Sequence, residues 1–461
     1  NVNVVYDDRQ GDMYAEVINF NHEGSIDFKG DTAGISTTTS IEEITFIENG
    51  IKLLNKVKLE ANADLVANTV TGYTKFKENV FKINELKLGV DGWVLSGDTM
   101  DMDIALSAKN NSFQEVLSLI PSVYKSDIAG VEAKGDFSLE VKAKGIMIDE
   151  LVPKFNVDLS VKNGYLKYPD LPESVDNIQV ELKVDNKTGV IENTVVNLDL
   201  FHFEIAKNPI DIQFYGTNLT VDPKIKGEVK SKLNLESLGK AIPVEEGEVY
   251  QGRLNADFSF AGNMSSIEEE RFEEFDAKGS LTLIDFLYRS AELPDVQVKN
   301  MYLNFSPQYF ELGNLDLIIG KSDLNAKGRI DNILPYVFHN DTIAGSFSLV
   351  SNYFNLDELM TEDSTAVETG LDAGDTSSAG GIVVVPGNIN FVLNSQFTKI
   401  DYDNMPIEDF KGKLLVKDSK VVFENTSLKI LGGKITMDGE YGTQNPTLPK
   451  TVMNLSIEDM D

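Results

Sequence analysis

No cysteine occurs in the 461 residues, so a disulfide framework and a thiolate metal site are both excluded. Histidine is nearly missing: His22, His202 and His339 are the only three, far apart, and no HExxH helix or close His pair exists to hold zinc. There is no G-x-S-x-G elbow from which a serine triad could start. Basic residues are outnumbered, 41 Lys and Arg against 74 Asp and Glu, which gives a net charge of -33. Such a surface repels phosphate backbones, and nucleic acid is not an expected partner. No run of 18 apolar residues is present, so no membrane-spanning helix is read in this stretch. The first residues, Asn1-Val2-Asn3-Val4-Val5, read as a strand with neither initiator Met nor signal peptide. The expectation is a part excised from a longer protein.

What is present is alternation. Phe137, Leu139 and Val141 interleave with Ser138, Glu140 and Lys142, and Phe155, Val157, Leu159 and Val161 with Asn156, Asp158 and Ser160. Strands with one dry and one wet face have this pattern. Asn163-Gly164 carries a hairpin signal, and Asp185 to Gly189 separates Ile178-Val180-Leu182-Val184 from the next strand. Consecutive hairpins predict an antiparallel meander.

The strands also repeat. Leu303, Phe305, Phe310, Leu312, Leu317, Ile319, Leu324 and Gly328 overlay, at an offset of 111 and without gaps, on Leu414, Val416, Val421, Phe423, Leu428, Ile430, Ile435 and Gly439. Weaker copies end at Gly216, 112 residues before Gly328, and at Gly97, a further 119 back. About four modules are expected, over residues 1–130, 131–245, 246–360 and 387–461. Short helices punctuate them at Ser112 to Tyr124, Leu233 to Ile242, Ile333 to Phe338 and Asn352 to Met360, read as lids or edge covers or as mere connections. Residues 361–386 hold Glu362, Asp363, Glu368, Asp372 and Asp375 with no basic residue, and are read as a disordered acidic linker or loop. Glu268 to Glu274 reads as a solvated turn or short helix.

Catalytic and metal constellations do not stand out. Gly320-Lys321-Ser322 has the ending of a P-loop, but Leu315 stands where its first glycine belongs, so it reads as a hairpin turn. Acid pairs such as Asp101 with Asp103 and Asp199 with Glu204 are expected by chance among 74 acids. Trp93, the sole tryptophan, aligns with Leu324 and Ile435 and reads as an apolar repeat position. No enzymatic activity, cofactor or metal is expected.

Leu287 to Asn300 (LYRSAELPDVQVKN), Tyr402 to Phe410 (YDNMPIEDF) and Ser427 to Gly439 (SLKILGGKITMDG) resemble the AsmA-like family, which includes TamB-type proteins. Leu356-Asp357-Glu358-Leu359 followed by an acidic loop, and the paired glycines Gly432-Gly433, fit the same pattern, and the resemblance extends over about residues 130–461. It implies a periplasmic protein of a diderm bacterium, held in the inner membrane by a segment outside this sequence and contributing to outer-membrane biogenesis. It is similar to repeating β-groove proteins that carry acyl lipid.

The expected fold is therefore mainly β: an elongated, bent antiparallel sheet of repeated modules with a few short helices. Its apolar face would be lined by Val180, Leu182, Leu198, Leu200, Leu303, Phe305, Phe310 and Leu312, and by Leu317, Ile319, Leu414, Val416, Phe423, Leu428 and Ile430. Few helices are available to cover that face, so phospholipid or another acyl lipid is the expected partner, with an outer-membrane protein as a further one. Two other classes stay open: an adhesive or structural all-β surface protein whose faces close on each other, and a carbohydrate-active β enzyme.

Overall fold

The computed structural model describes residues 1–9, 11–48, 51–117, 130–148, 150–169, 171–241, 247–291, 293–358, 384–403 and 405–459. The chain is mainly β and divides into two compact units. The first comprises Asn1–Val229 with Lys240–Pro243 and Asn263–Ser265; the second comprises Lys230–Gly239, Val244–Gly262 and Ser266–Asp461.

The first unit opens with β1 (Val2–Asp8), β2 (Met13–Lys29), β3 (Thr32–Glu48), β4 (Ile51–Asn68), β5 (Tyr73–Ile83) and β6 (Leu86–Ser96). It continues with β7 (Met100–Ser112), α1 (Phe113–Leu117), β8 (Glu132–Met147), β9 (Lys154–Lys167), β10 (Val175–Asn186), β11 (Val195–Ile205) and β12 (Asn208–Thr217). Every strand from β1 to β12 pairs antiparallel with the next. β13 (Lys224–Asn234) contains the boundary between units and leads into α2 (Leu235–Gly239). After β14 (Val249–Asn263) and α3 (Met264–Glu268), the second unit runs through β15 (Asp276–Arg289), β16 (Val296–Phe305), β17 (Tyr309–Ile319), β18 (Ser322–Asp331) and α4 (Ile333–His339). It ends with β19 (Ile343–Asn355), β20 (Ile389–Tyr402), β21 (Met405–Lys417), β22 (Lys420–Ile430), β23 (Gly433–Gly442) and β24 (Lys450–Glu458).

A bulge marks the repeat more sharply than any side chain. β5 shifts register between Phe76 and Asn79, β11 between Leu198 and Phe201, β17 between Leu312 and Leu315, and β22 between Phe423 and Thr426. Each strand then ends on an isoleucine, Ile83, Ile205, Ile319 or Ile430, and turns through two residues into its partner. These isoleucines place the copies 122, 114 and 111 residues apart (205−83, 319−205, 430−319). The last offset matches the sequence alignment, while the two earlier ones differ from it by two and three residues. Gly328 is matched by Phe214 and Gly92, which pair with Leu198 and Phe76, and not by Gly216 and Gly97. Trp93 follows Gly92 as Arg329 follows Gly328, so it is equivalent to Arg329 and not to Leu324.

The bulge keeps the apolar residues on one side. Along β17, Phe310 and Leu312 are out of phase with Leu315, Leu317 and Ile319 for a period of two. Their partners on the regular β18 are Ile330, Gly328, Ala326, Leu324 and Ser322, all of one face. The extra residue thus turns the second half of β17 back onto the face of the first. Asn163-Gly164 is a similar irregularity: β9 runs straight through it, and Val161 and Gly164 pair with Val180 and Ile178. It is a bulge and not the expected hairpin, because Asn163 takes a positive φ of 51° within a continuing ladder.

One pair departs from the antiparallel expectation, since β19 and β20 are parallel. From β5 to β11 and from β11 to β17 the chain uses six strands, but from β17 to β22 only five. An antiparallel meander that loses one strand must re-enter from the same end, which requires a long crossover. Residues 356–388 provide it. The segment read as a linker lies within this crossover and, apart from residues 384–386, outside the described residues.

Of the helix expected over Asn352 to Met360, Asn352–Asn355 belong instead to β19 and Leu356 to Glu358 form a bend and turn, while residues 359 and 360 lie outside the described ones. Asp323 accepts hydrogen bonds from the backbone N–H of Tyr353 at 2.7 Å and of Asn352 at 3.1 Å, and Ser322 Oγ accepts from the N–H of Asn355 at 2.9 Å. Side chains of β18 thus take over where its ladder with β19 stops. Of the other expected helices, α1 and α2 fall inside their predicted spans, α4 exceeds its span by one residue, and residues 118–129 lie outside the described ones. Glu268 to Glu274 forms the end of α3 and a short 3-10 turn at Phe272–Glu274.

Partial burial works to raise the Asp323 pKa, but the N–H donors of Tyr353 and Asn352 outweigh it and hold the carboxyl below its usual range. A depressed folded-state pKa stabilises above the unfolded-state value, and that stabilisation is lost as pH falls through the folded one. Asp323→Asn is therefore expected to lower the urea midpoint at neutral pH, with the gap to the parent closing below the normal aspartate pKa of about 3.9. Equal midpoints at pH 7 would refute this role.

Candidate apolar binding face

Directly paired residues of neighbouring strands share a face, so the register traces rows across each sheet. In the second unit one row crosses all eleven strands from β14 to β24: Ala256, Leu281, Leu303, Leu312, Gly328, Phe347, Leu393, Leu414, Phe423, Gly439 and Met453. The adjacent row carries Phe258, Phe305, Phe310, Ile330, Phe391, Val416 and Val421, separated by Gly279 and Gly345. In the first unit Asn79, Val90, Leu106, Val141, Val157, Val184, Val196 and Gly216 form such a row from β5 to β12. Beside it, Ala108, Leu139, Leu159, Leu182, Leu198 and Phe214 run from β7 to β12.

The glycines in these rows are sites of close approach. A Cβ at Gly279 would fall on the ring of Phe305, one at Gly328 on Phe347, and one at Gly345 on Phe391. Each phenylalanine lies over the glycine of the neighbouring strand, which keeps the surface level where the backbone is bare. The Phe305 ring also stacks with Phe258 and Phe310, at 5.6 Å between centroids in both cases.

Fourteen of the fifteen residues expected to line the face lie on it: Val180, Leu182 and Leu198 in the first unit, and Leu303, Phe305, Phe310, Leu312, Leu317, Ile319, Leu414, Val416, Phe423, Leu428 and Ile430 in the second. Leu200 does not. It sits in the β11 bulge, pairs with Glu181, and falls in the row that continues to Ser160 and Ser138 on the polar face. Strict alternation from Leu198 points to Leu200, and the extra residue hands the position to Phe201. Phe201 and Phe203, which that count passed over, pack on the buried cluster of the first unit.

All fourteen are half-buried. The main contacts between elements are those of strand neighbours, together with α1 on β7 and β8 and α4 on β19. Among the described residues a sealed cluster forms under α1: Leu86, Ala108, Phe137, Val161 and Ile178 are buried, with Phe113 and Val116 of α1 against them. Elsewhere the main contacts of the described strands are with their strand neighbours, apart from α4 on β19 and the close approach of α2 to Tyr250.

The opposite face is polar. Cross-strand pairs such as Lys144 with Asp103 at 2.6 Å, Lys183 with Asp199 at 3.2 Å and Lys413 with Glu424 at 2.9 Å decorate it, and exposed pairs of this kind add little stability. Asp316 receives hydrogen bonds from Asn300 at 2.6 Å, Asn314 at 3.2 Å and Asn325. Desolvation acts to raise its pKa, yet the three amides hold it below the usual carboxylate range.

No group of His, Asp and Glu among the described residues is arranged to hold a metal, and no described helix is long and apolar enough to cross a membrane. No family model, curated protein or solved structure matches the chain.

The difference between open and covered rows gives two stability tests. Leu303→Asp and Leu414→Asp, on half-buried rows, are expected to leave the protein folded at a cost of about 1–3 kcal/mol. Ala108→Asp, at a position 0% exposed beneath α1, places an unpaired charge in a sealed cluster and should unfold the first unit, at a cost of about 3–5 kcal/mol. Ser348→Asp, on the polar face opposite Lys327, serves as the neutral control. Urea titration reads all four, and unfolding of both leucine variants would show a closed core. Gly279→Ala should cost about 1–3 kcal/mol by collision with Phe305, while Gly97→Ala, whose Cβ meets only Thr99 O at 3.8 Å, should be silent. Equal midpoints for the two glycine variants would contradict the overlay.

Proposed function

We propose that the chain is a lipid-transfer protein of the AsmA-like type, whose apolar rows hold the acyl chains of phospholipid in place of a second protein layer. One observation carries this reading: rows of Leu, Phe and Val are half-buried across ten strands, from β14 to β23, and the main described contacts of those strands are with their strand neighbours. A sheet face of this character has to be set against another apolar surface, because apolar area left in water costs about 25 cal/mol per Å². Acyl chains satisfy that need without directional chemistry, and head groups stay in water.

The AsmA-like resemblance fits the local structure at its most specific point. Gly432 takes a positive φ of 76° in the two-residue turn between β22 and β23, and Gly433, buried, opens β23. In this reading the protein works between the inner and outer membranes of a diderm envelope, anchored by a segment outside this sequence. Its partner at the outer membrane would be a protein that receives the lipid. Because the rows are aliphatic and aromatic with no recurrent charge, selection among head groups should be weak.

Lipid extraction and native mass spectrometry of the purified protein test the proposal. The expected result is retained phospholipid of mixed head groups, and uptake of a fluorescent phospholipid after delipidation. Leu303→Asp and Leu414→Asp should lose that uptake while remaining folded, since a carboxylate in the row interrupts the apolar path. Protein that is lipid-free as isolated and takes up no probe when delipidated would overturn the reading in favour of a structural all-β protein.

A further inference from the structure

Trp93, the only tryptophan, stands on the polar face. The row in which it lies runs Asp27, Gly34, Val66, Lys75, Trp93, Asp103 and Lys144, and the alternate rows beside it carry Ile26, Ile35, Leu65 and Phe76 toward the apolar side. Tyr73, two residues before Lys75 on the same strand face, stacks on Trp93 with centroids 5.7 Å apart and ring planes 29° from parallel. Leu95, 36% exposed, adjoins them on β6. An aromatic pair on a face otherwise given to Lys, Asp, Ser and Asn is not explained by the apolar rows.

Next to this pair lies a cleft of about 920 Å³ formed by β2 to β6. Its walls are Ser25, Asp27, Ser36, Asp64, Lys75 and Lys77, with Asp91 at one end. Each of these is on the polar face by alternation, and the residues between them, Ile26, Ile35, Leu65 and Phe76, also border the cleft. Lys75 belongs to both features, because it lines the cleft and pairs directly with Trp93. The cleft therefore offers hydroxyls, carboxylates and ammonium groups, that is, acceptors and donors side by side, and the aromatic pair stands next to it across Lys75.

We propose that this cleft, with Tyr73 and Trp93 as its platform, binds a neutral oligosaccharide. A sugar ring has one face of C–H groups for an aromatic surface and a rim of hydroxyls that both donate and accept, which is the combination present. An anionic ligand is disfavoured by Asp27, Asp64 and Asp91 against two lysines, and by the net charge of -33. An acyl chain is disfavoured by the charged walls. The one free edge at the cleft is that of β2 beyond Phe20, where β1 no longer pairs with it, whereas β3 to β6, which carry the Lys75 and Trp93 side of the site, are each paired on both sides.

The sole tryptophan is its own reporter. Titrating the protein with cellotetraose, maltotetraose and chitotetraose at millimolar concentration should give a saturable change in Trp93 emission with at least one of them, while inorganic phosphate gives none. Asp64→Asn, which keeps the tryptophan, should weaken binding about tenfold. Trp93→Ala, followed by calorimetry and with its fold checked by circular dichroism, should abolish it. No emission change with any of the three sugars overturns the proposal, as does a change produced by phosphate alone, or undiminished sugar binding by folded Trp93→Ala. Lipid uptake is read on the opposite face, so it is expected to be unchanged in both variants.

Discussion

Everything in this molecule depends on keeping one face of a long β meander in phase. A strand presents its side chains alternately, and one residue of slippage would send a whole apolar set to the wrong side. Across eleven strands of the second unit no such slip occurs, although several pairs contain bulges. The bulges are what make this possible. Where the sequence breaks alternation, as between Leu312 and Leu315, the extra residue absorbs the break and the apolar set stays on its row.

The same constraint explains the glycines. Rows built only of Phe and Leu would crowd, because side chains directly opposite are about 4.5–5.5 Å apart. Gly279, Gly328 and Gly345 relieve the crowding by letting the rings of Phe305, Phe347 and Phe391 lie across them. A glycine and the ring of its neighbour form one unit of surface. On the other face, ion pairs and amides such as those around Asp316 hold water, so the two sides of a single layer meet different solvents.

Much of this was legible in the sequence, and what was not has physical causes. Alternation gave the strands and the dry face, and the offset between Leu303 and Leu414 survives because β17 matches β22 in length, β18 matches β23, and a two-residue turn joins each pair. The copy ending at Gly216 was misaligned by two residues because period-two patterns match themselves at any even shift, and Gly97, five residues beyond Gly92, was chosen as the next glycine back from that shifted end. A positive-φ Asn followed by Gly looks the same in a bulge as in a hairpin, and only the continuing pairing of β9 distinguishes them. Leu200 and Trp93 were misplaced for related reasons, one by an unseen bulge and the other by the shifted alignment. The parallel β19–β20 pair depends on counting strands per module, which no local pattern encodes.

That count carries the last step of the argument. The module from β17 to β22 uses five strands where its predecessors use six, and the chain spends a long crossover to re-enter in the correct direction. Across this change of topology the row is unbroken: Phe347 pairs with Leu393 in the parallel ladder as Leu393 pairs with Leu414 in the antiparallel one. Strand number and strand direction were free to vary, and the continuity of the apolar row was not. A packed sandwich core would tie each residue to a specific partner across the layer gap and make such a deletion costly. A face whose partner is a fluid apolar phase has no such ties, and requires only that the row continue.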